Sequence, residues 1–347
     1  MEENYAEQCE LAQNMNSNPY YKFNLGWSGF VSLTAFPVQI YFFWNKLVPL
    51  RFHGNIKTLL VVYFICSFIF SFEIAIGFIW RFIVSMVYDN CELLINITFF
   101  KYYHVFSLFL MTIPMLLPIG FSIERFYAMK DAEDYENRET KLGPQLVAIL
   151  IGIDFLSIVL IFINEPFTGP FLSLVLVPTT SAAQFNAYFY FLLAVQIFNL
   201  ISNLVLLDKH TRKHKRLTKD RSLSYKYQME EINESSYFTL IVGFTHLIFA
   251  ATYVICGILA RNVGPDFFKN NVHYMIARAS YCSVPTGNLV IVLVAILVLH
   301  IFDKKRKSRR TRALSIKSTG SEGIKHIHTE IYSTWYKPGR VLGMNQP

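Results

Sequence analysis

Residues 111–123 carry no charge, and they run straight into Glu124, Arg125 and Phe126. An acid beside an arginine at the edge of an apolar phase forms an ion pair whose state depends on its surroundings. Treated as interfacial and partly hydrated, such a pair is worth no more than about 1 kcal/mol. Three further ionisable groups, Glu73, Asp154 and Arg278, stand inside long apolar runs, where a charge must be paired or hydrated. The depths of Glu73 and Arg278 let them meet, either as a structural ion pair or as contacts to a ligand. Asp154 is read first as a protonated, hydrogen-bonded helix contact and second as a contact to a ligand. Patterns that support enzyme chemistry are missing: the nine histidines and five cysteines show no metal-ligand spacing, and there is no nucleophile elbow or phosphate-binding glycine loop. No enzymatic activity and no cofactor are expected.

The elements that position these groups follow from composition. Of 347 residues, 53% are hydrophobic and 16% charged, with 32 Phe and 20 Tyr, whereas soluble chains carry about a quarter charged residues. Seven runs, 25–44, 59–80, 102–123, 142–164, 187–207, 237–260 and 280–302, reach the length of about 20 residues that crosses a bilayer as a helix. The fold class expected is an all-α membrane protein, a seven-transmembrane helix bundle. A segment 1–24 precedes it and a basic tail, 303–347, follows. The uncharged stretch 166–185 contains Pro166, Gly169, Pro170 and Pro178 and reads as a loop lying over the bundle.

Charge sets the expected orientation. With the N-terminus outside, the inner segments hold 26 of the 32 Lys and Arg residues, which the positive-inside rule favours. The net charge of +8 is therefore a topology signal that implies contact with membrane lipids and no nucleic-acid partner. No cleavable signal peptide is visible in the polar, acidic N-terminal stretch. Cys9 and Cys91 both fall on the outer side, which allows a disulfide between them or two free thiols. Asn96-Ile97-Thr98 is a glycosylation sequon on that side.

Glu124-Arg125-Phe126 sits at the inner end of the third span, where many G-protein-coupled receptors carry an acid, an arginine and an aromatic. Further stretches are more specific: FHGNIKTLL (52–60), CELLINITFFKYYH (91–104), IPMLLPIGFSIERFYAM (113–129), YENRETKLGP (135–144), SLSYKYQMEE (222–231) and SSYFTLIVGFTHLIF (235–249). Through them almost the whole chain resembles the nematode serpentine receptor class beta family, Srb, of the Sra superfamily. The resemblance implies a seven-transmembrane chemoreceptor of the plasma membrane of sensory neurons, in their cilia, that detects a small molecule or pheromone-like ligand and couples to a heterotrimeric G protein.

Departures from the rhodopsin-like pattern qualify the transfer. The loop between spans four and five has no cysteine, so Cys9 is the evident partner for Cys91. The sixth span has no proline, and Pro285-Thr286-Gly287-Asn288 occupies the place of the usual seventh-span motif. Pro114, Pro118, Pro285 and Asn288 are candidate hinge residues. Lys101, Tyr102, His104, Tyr188, Tyr253, His273, Tyr274 and Arg278, near the outer span ends, read either as an interfacial aromatic belt or as one amphipathic cleft with 171–177 as its lid. Arg212, Lys213, Lys215 and Arg216 continue the fifth span as positive charge facing a G protein or lipid headgroups. A channel or transporter subunit is the alternative, disfavoured by the odd span count and the lack of a repeat.

Overall fold

The computed structural model describes residues 2–88, 91–130, 141–168, 171–174, 177–178, 180–217, 223–268, 270–279 and 282–317. Nearly all of it is helical. The helices are α1 (Glu2–Ser17), α2 (Pro19–Phe42), α3 (Gly54–Val87), α4 (Ile97–Lys130), α5 (Leu142–Phe162), α6 (Ala182–Leu217), α7 (Leu223–Phe268), α8 (Asn271–Ala279) and α9 (Ser283–Lys317). Six stretches, carried by α3, α4, α5, α6, α7 and the α8–α9 region, are long and apolar enough to cross a membrane. Helix α2 has 24 residues, enough to span, but turns Asn24, Ser28, Ser32 and Gln39 into the bundle. Its start is set locally: Pro19 takes the first helical position and the Asn18 side chain accepts from the Tyr20 N–H at 3.0 Å.

Helix α4 is the most buried of the six and packs against α3, α5, α6 and α7. Where helices approach closely, glycine makes room. A Cβ on Gly143 of α5 would lie 2.5 Å from the Asn55 carbonyl oxygen, and the Gly143 N–H donates to the Asn55 side chain at 2.9 Å. Helix α7 turns at Gly264, whose φ of 72° is one that glycine adopts without steric cost.

The sequence reading treats 1–24 as a plain polar segment, but 2–17 form a helix with Glu7 and Glu10 exposed on one side. Cys9, Ala12, Met15 and Asn16 are buried on the other, and α1 packs against α8 and the short 3₁₀ turn Cys91–Leu93. Cys9 and Cys91 are joined by a disulfide, with their Cα atoms 5.0 Å apart. Asn16 donates to the Ser85 carbonyl at 2.9 Å. The loop after α5 does not cross the bundle: it folds over this same end, where Phe167, Leu172, Leu174 and Val177 are buried. Arg81 of α3 fastens it. Its guanidinium donates to the Leu93 carbonyl at 2.6 Å and to the Leu172 carbonyl at 3.2 Å, while the Ile95 N–H donates to the Phe171 carbonyl at 2.9 Å.

Two expectations about the last span change. Pro285 stands in the first turn of α9, where its missing N–H would have had no helical partner, so it is a helix-start proline and not a mid-span hinge. The basic stretch 303–312, expected as the start of the tail, belongs to α9 itself. Residues 318–347 of the expected tail lie outside the described residues.

The disulfide closes a sequence separation of 82 residues, which stabilises by about 4.5 kcal/mol in the chain-entropy model. Protein digested without reduction after thiol blocking should yield a Cys9–Cys91 cross-linked peptide, and Cys9→Ser with Cys91→Ser should lower the unfolding midpoint. Two blocked, unlinked thiols would remove the tether.

Candidate functional site

The buried polar groups of the bundle converge on α4. At its Glu124 end, Glu124 and Arg125 are 0% and 1% exposed. The Arg125 Nη2 donates to Glu124 Oε1 at 2.7 Å, its Nε to Glu124 Oε2, and its Nη1 to the Ser235 hydroxyl of α7. The Ser235 hydroxyl in turn donates to the Glu231 carbonyl at 2.8 Å, and the Glu231 carboxylate accepts from the His53 N–H, ahead of α3, at 2.6 Å. This overturns the expectation of a partly hydrated pair. Tertiary packing covers both charges, so breaking the pair from one side leaves an uncompensated buried charge, at a cost of about 3–5 kcal/mol. Phe126 is exposed and takes no part.

About half a turn nearer the middle, Asn199 of α6 bonds Ser122 at 3.2 Å, and about two and a half turns nearer, Gln196 donates to the Met115 carbonyl at 3.4 Å. Met115 lies between Pro114 and Pro118, both buried inside α4, which take the helical donors from the Leu110 and Pro114 carbonyls. Higher on α4, Asp154 of α5 is fully buried and accepts from Thr112 at 3.0 Å and from the Tyr188 hydroxyl of α6 at 2.6 Å. Three helices therefore meet at one carboxyl group.

A second polar knot joins α2, α3 and α9. Ser71 lies within hydrogen-bonding distance of Gln39 at 3.2 Å and of Asn288 at 3.3 Å, so the candidate hinge residue Asn288 is a helix-to-helix contact here. Tyr63 of α3 meets His246 of α7 at 3.0 Å. Beside His246, a cavity of about 20 Å³ is lined by Met111, Met115, Phe189, Tyr253, Gly287 and Asn288, among others. That is room for about one water molecule.

The eight candidate ligand residues do not converge on one open cleft. Tyr253 lines the small cavity, whereas Tyr188 is committed to Asp154. His104 is buried under the cap, its ring stacked on Phe100 and edge-on to Phe162. Lys101 lies 5.5 Å over the Phe167 ring, Tyr102 and His273 are exposed, and Arg278 lies 5.4 Å over the Tyr274 ring. The loop residue Phe171, at the start of the stretch 171–177 expected as a lid, stacks on Phe100 at 3.7 Å. Nor does Glu73 meet Arg278. It accepts instead from the Ser107 hydroxyl of α4, because Ser107 faces α3 at the same depth while Arg278 lies on the separate helix α8.

On the remaining candidates, Arg212 pairs with Asp208 at 2.9 Å on the exposed surface of α6, and the side chains of Lys213, Lys215 and Arg216 lie outside the described residues. Asn96 caps α4, its side-chain oxygen accepting from the Thr98 N–H at 2.8 Å. Sequence reasoning missed Arg81, whose only signal was a basic residue inside an apolar run. It also missed Ser107 and Ser235, which carry no signal at all until their acidic or basic partners are known.

Long apolar helices packed around α4, with polar side chains paired between them, define a multi-pass membrane protein. Comparison with known proteins gives the particular group. Residues 17–250 match the family of serpentine type 7TM GPCR chemoreceptors, Srb, and the chain belongs to that family. Serpentine receptor class beta-12 of Caenorhabditis elegans is 45% identical over 96% of this chain and 97% of its own length. Class beta-3 of the same organism is 45% identical over 94% and 95%, and class beta-2 is 41% identical over 95% and 96%. The family is one of receptors, not of enzymes.

At the three-helix junction, Asp154→Ala leaves the part-buried Tyr188 hydroxyl without its acceptor, a loss of about 1 kcal/mol. Asp154→Asn keeps a carbonyl oxygen for Tyr188 and should cost less. Thermal unfolding in detergent should rank wild type above Asn above Ala, and equal midpoints for all three would show that the junction contributes nothing.

Proposed function

We propose that this protein is a G-protein-coupled chemosensory receptor of the plasma membrane, sited in sensory neuron cilia, with its N-terminus outside and its C-terminus in the cytoplasm. It detects an external small molecule or a pheromone-like ligand. The observation that carries the reading is the buried bond from Arg125 to both Glu124 and Ser235, which ties α4 to α7 at one end of the bundle. Separation of those helices would free the guanidinium for a G protein, as expected of a two-state helix bundle. Arg212, Lys213, Lys215 and Arg216 then present positive charge to the G protein or to lipid headgroups. Pro114 and Pro118 lie between the cap end and the Arg125 end and pass movement from one to the other.

Ligand entry to the space beside Tyr253 requires movement of the cap, since Phe171 and α1 cover that end. Phe171, Lys101, His104 and the α8 residues His273, Tyr274 and Arg278 would be the groups that rearrange first.

Orientation is tested with tags placed ahead of Met1 and after Pro347, positions that spare the buried face of α1. In intact cells the first should stain and the second should not; the reverse pattern would overturn the topology. Signalling is tested without a known ligand. Glu124→Gln loosens the restraint on Arg125 and should raise basal G-protein activation by at least about fivefold, equivalent to roughly 1 kcal/mol of population shift. Adding Arg125→Ala to that variant should return activation to background at matched surface levels. Persistent activation in the double variant, or ionic current in cells lacking G proteins, would count against coupling through Arg125.

A further inference from the structure

Near its Gly264 turn, helix α7 carries an arginine that faces away from the nearer end of the span. Arg261 stands close to the limit of a stretch apolar enough to cross a membrane. A long side chain on a helix leans toward the helix N-terminus, and at this end of α7 that direction is back toward the middle of the span. The Arg261 Nε donates to the Gly257 carbonyl at 3.1 Å. Its Nη2 lies 3.5 Å from where a Cβ on Gly257 would stand, so the bare glycine leaves the room that the guanidinium uses. The guanidinium then sits 5.6 Å over the buried ring of Phe185. An arginine that only anchored the helix would extend the other way, toward headgroups and water.

A second guanidinium is brought to the same place. After the turn at Gly264, α8 packs against α7, which sets Arg278, itself 5.4 Å over the Tyr274 ring, within electrostatic range of Arg261. Tyr253, Tyr274 and Tyr190 lie in the same range. Among the described residues neither arginine has an aspartate or glutamate as an ion-pair partner, and the Arg261 Nη1 has no hydrogen-bond partner. Both side chains are only half-buried, so the pair is partly open. Two like charges at reduced dielectric repel, and a shielded donor left unmet is costly. The aromatic rings soften that cost and do not neutralise it.

We propose that Arg261 and Arg278 together form an anion site that takes the carboxylate of a small, water-soluble organic acid, with the apolar body of the acid directed toward the cavity beside Tyr253. This names the ligand class of the receptor and rests on the receptor reading above. Charge decides the head: the two carboxylate oxygens match the fork of a guanidinium, whereas a cation is repelled by both arginines. The walls decide the body, since Met111, Met115 and Phe189 line the space that Tyr253 shares.

The test uses the full chain in nanodiscs of phosphatidylcholine, which carries no net charge, with a diazirine-bearing pentanoate as the probe and no G protein present. Labelled peptides should map to 253–261 and 271–279, and excess unlabelled pentanoate should remove the label. The primary amide of the same probe, similar in shape and uncharged, should label about tenfold less. Arg261→Gln and Arg278→Gln should each lower acid labelling by about tenfold, the loss expected for one charged hydrogen bond. Arg261→Lys, which keeps the charge and loses the fork, should fall between. The comparison of acid with amide is made on the unaltered protein, so it decides the matter even where a variant does not fold. Equal labelling by acid and amide, or undiminished labelling in both glutamine variants, would overturn the site. Loss of acid labelling when a small fraction of the lipid is replaced by phosphatidylglycerol would assign the two guanidiniums to a lipid headgroup and overturn the soluble acid. Because labelling needs no G protein, failure here is distinct from failure of coupling through Arg125.

Discussion

Inside a bilayer there is no water to complete a hydrogen bond, so each buried polar group must find its partner within the protein. Helix α4 supplies several of those partners here. Ser107 meets Glu73, Thr112 meets Asp154, Ser122 meets Asn199, and Glu124 and Arg125 meet each other and Ser235. Each contact joins α4 to a different neighbour, or to the same neighbour at a different depth. The bundle is thus ordered around one helix by directional bonds that dispersion between apolar side chains alone would not specify.

The two ends of the bundle are built differently. At the Cys91 end, order comes from backbone: Arg81 reaches the carbonyls of two separate segments, Ile95 and Phe171 pair, and a disulfide holds α1 down. Because that loop has no cysteine of its own, the guanidinium and the Phe171–Phe100 stack do the fastening that a loop disulfide would otherwise do. At the Glu124 end, order comes from side chains, with charge enclosed by α4 and α7 and anchored to the chain ahead of α3. Backbone ties of the first kind resist change, whereas a charged knot of the second kind has an alternative partner whenever water or another protein gains access.

A filled interior shapes the question of where a ligand enters. With Phe171 over Phe100 and only about 20 Å³ beside Tyr253, the conformation described is closed at its cap end. The polar candidates near the span ends are spread over the cap, the exposed surface and a helix junction because each satisfies a local need: His104 stacks, Tyr188 donates and Arg278 covers an aromatic ring.

Sequence alone determined the class of architecture. Helix length follows from runs of apolar residues, helix starts from local signals such as Asn18-Pro19, and the loop character of 166–185, up to the start of α6 at Ala182, from its prolines, because all of these depend on neighbours in the chain. Quoted stretches such as 113–129 likewise carried the family. Partners could not be read the same way. That Glu73 turns to Ser107 and away from Arg278, that α1 forms a cap and that Glu124–Arg125 is buried instead of hydrated are facts of rotation and depth. They are set by which faces of α3, α4 and α7 come together, and a one-dimensional pattern with nearly every helix face apolar cannot say which face that is.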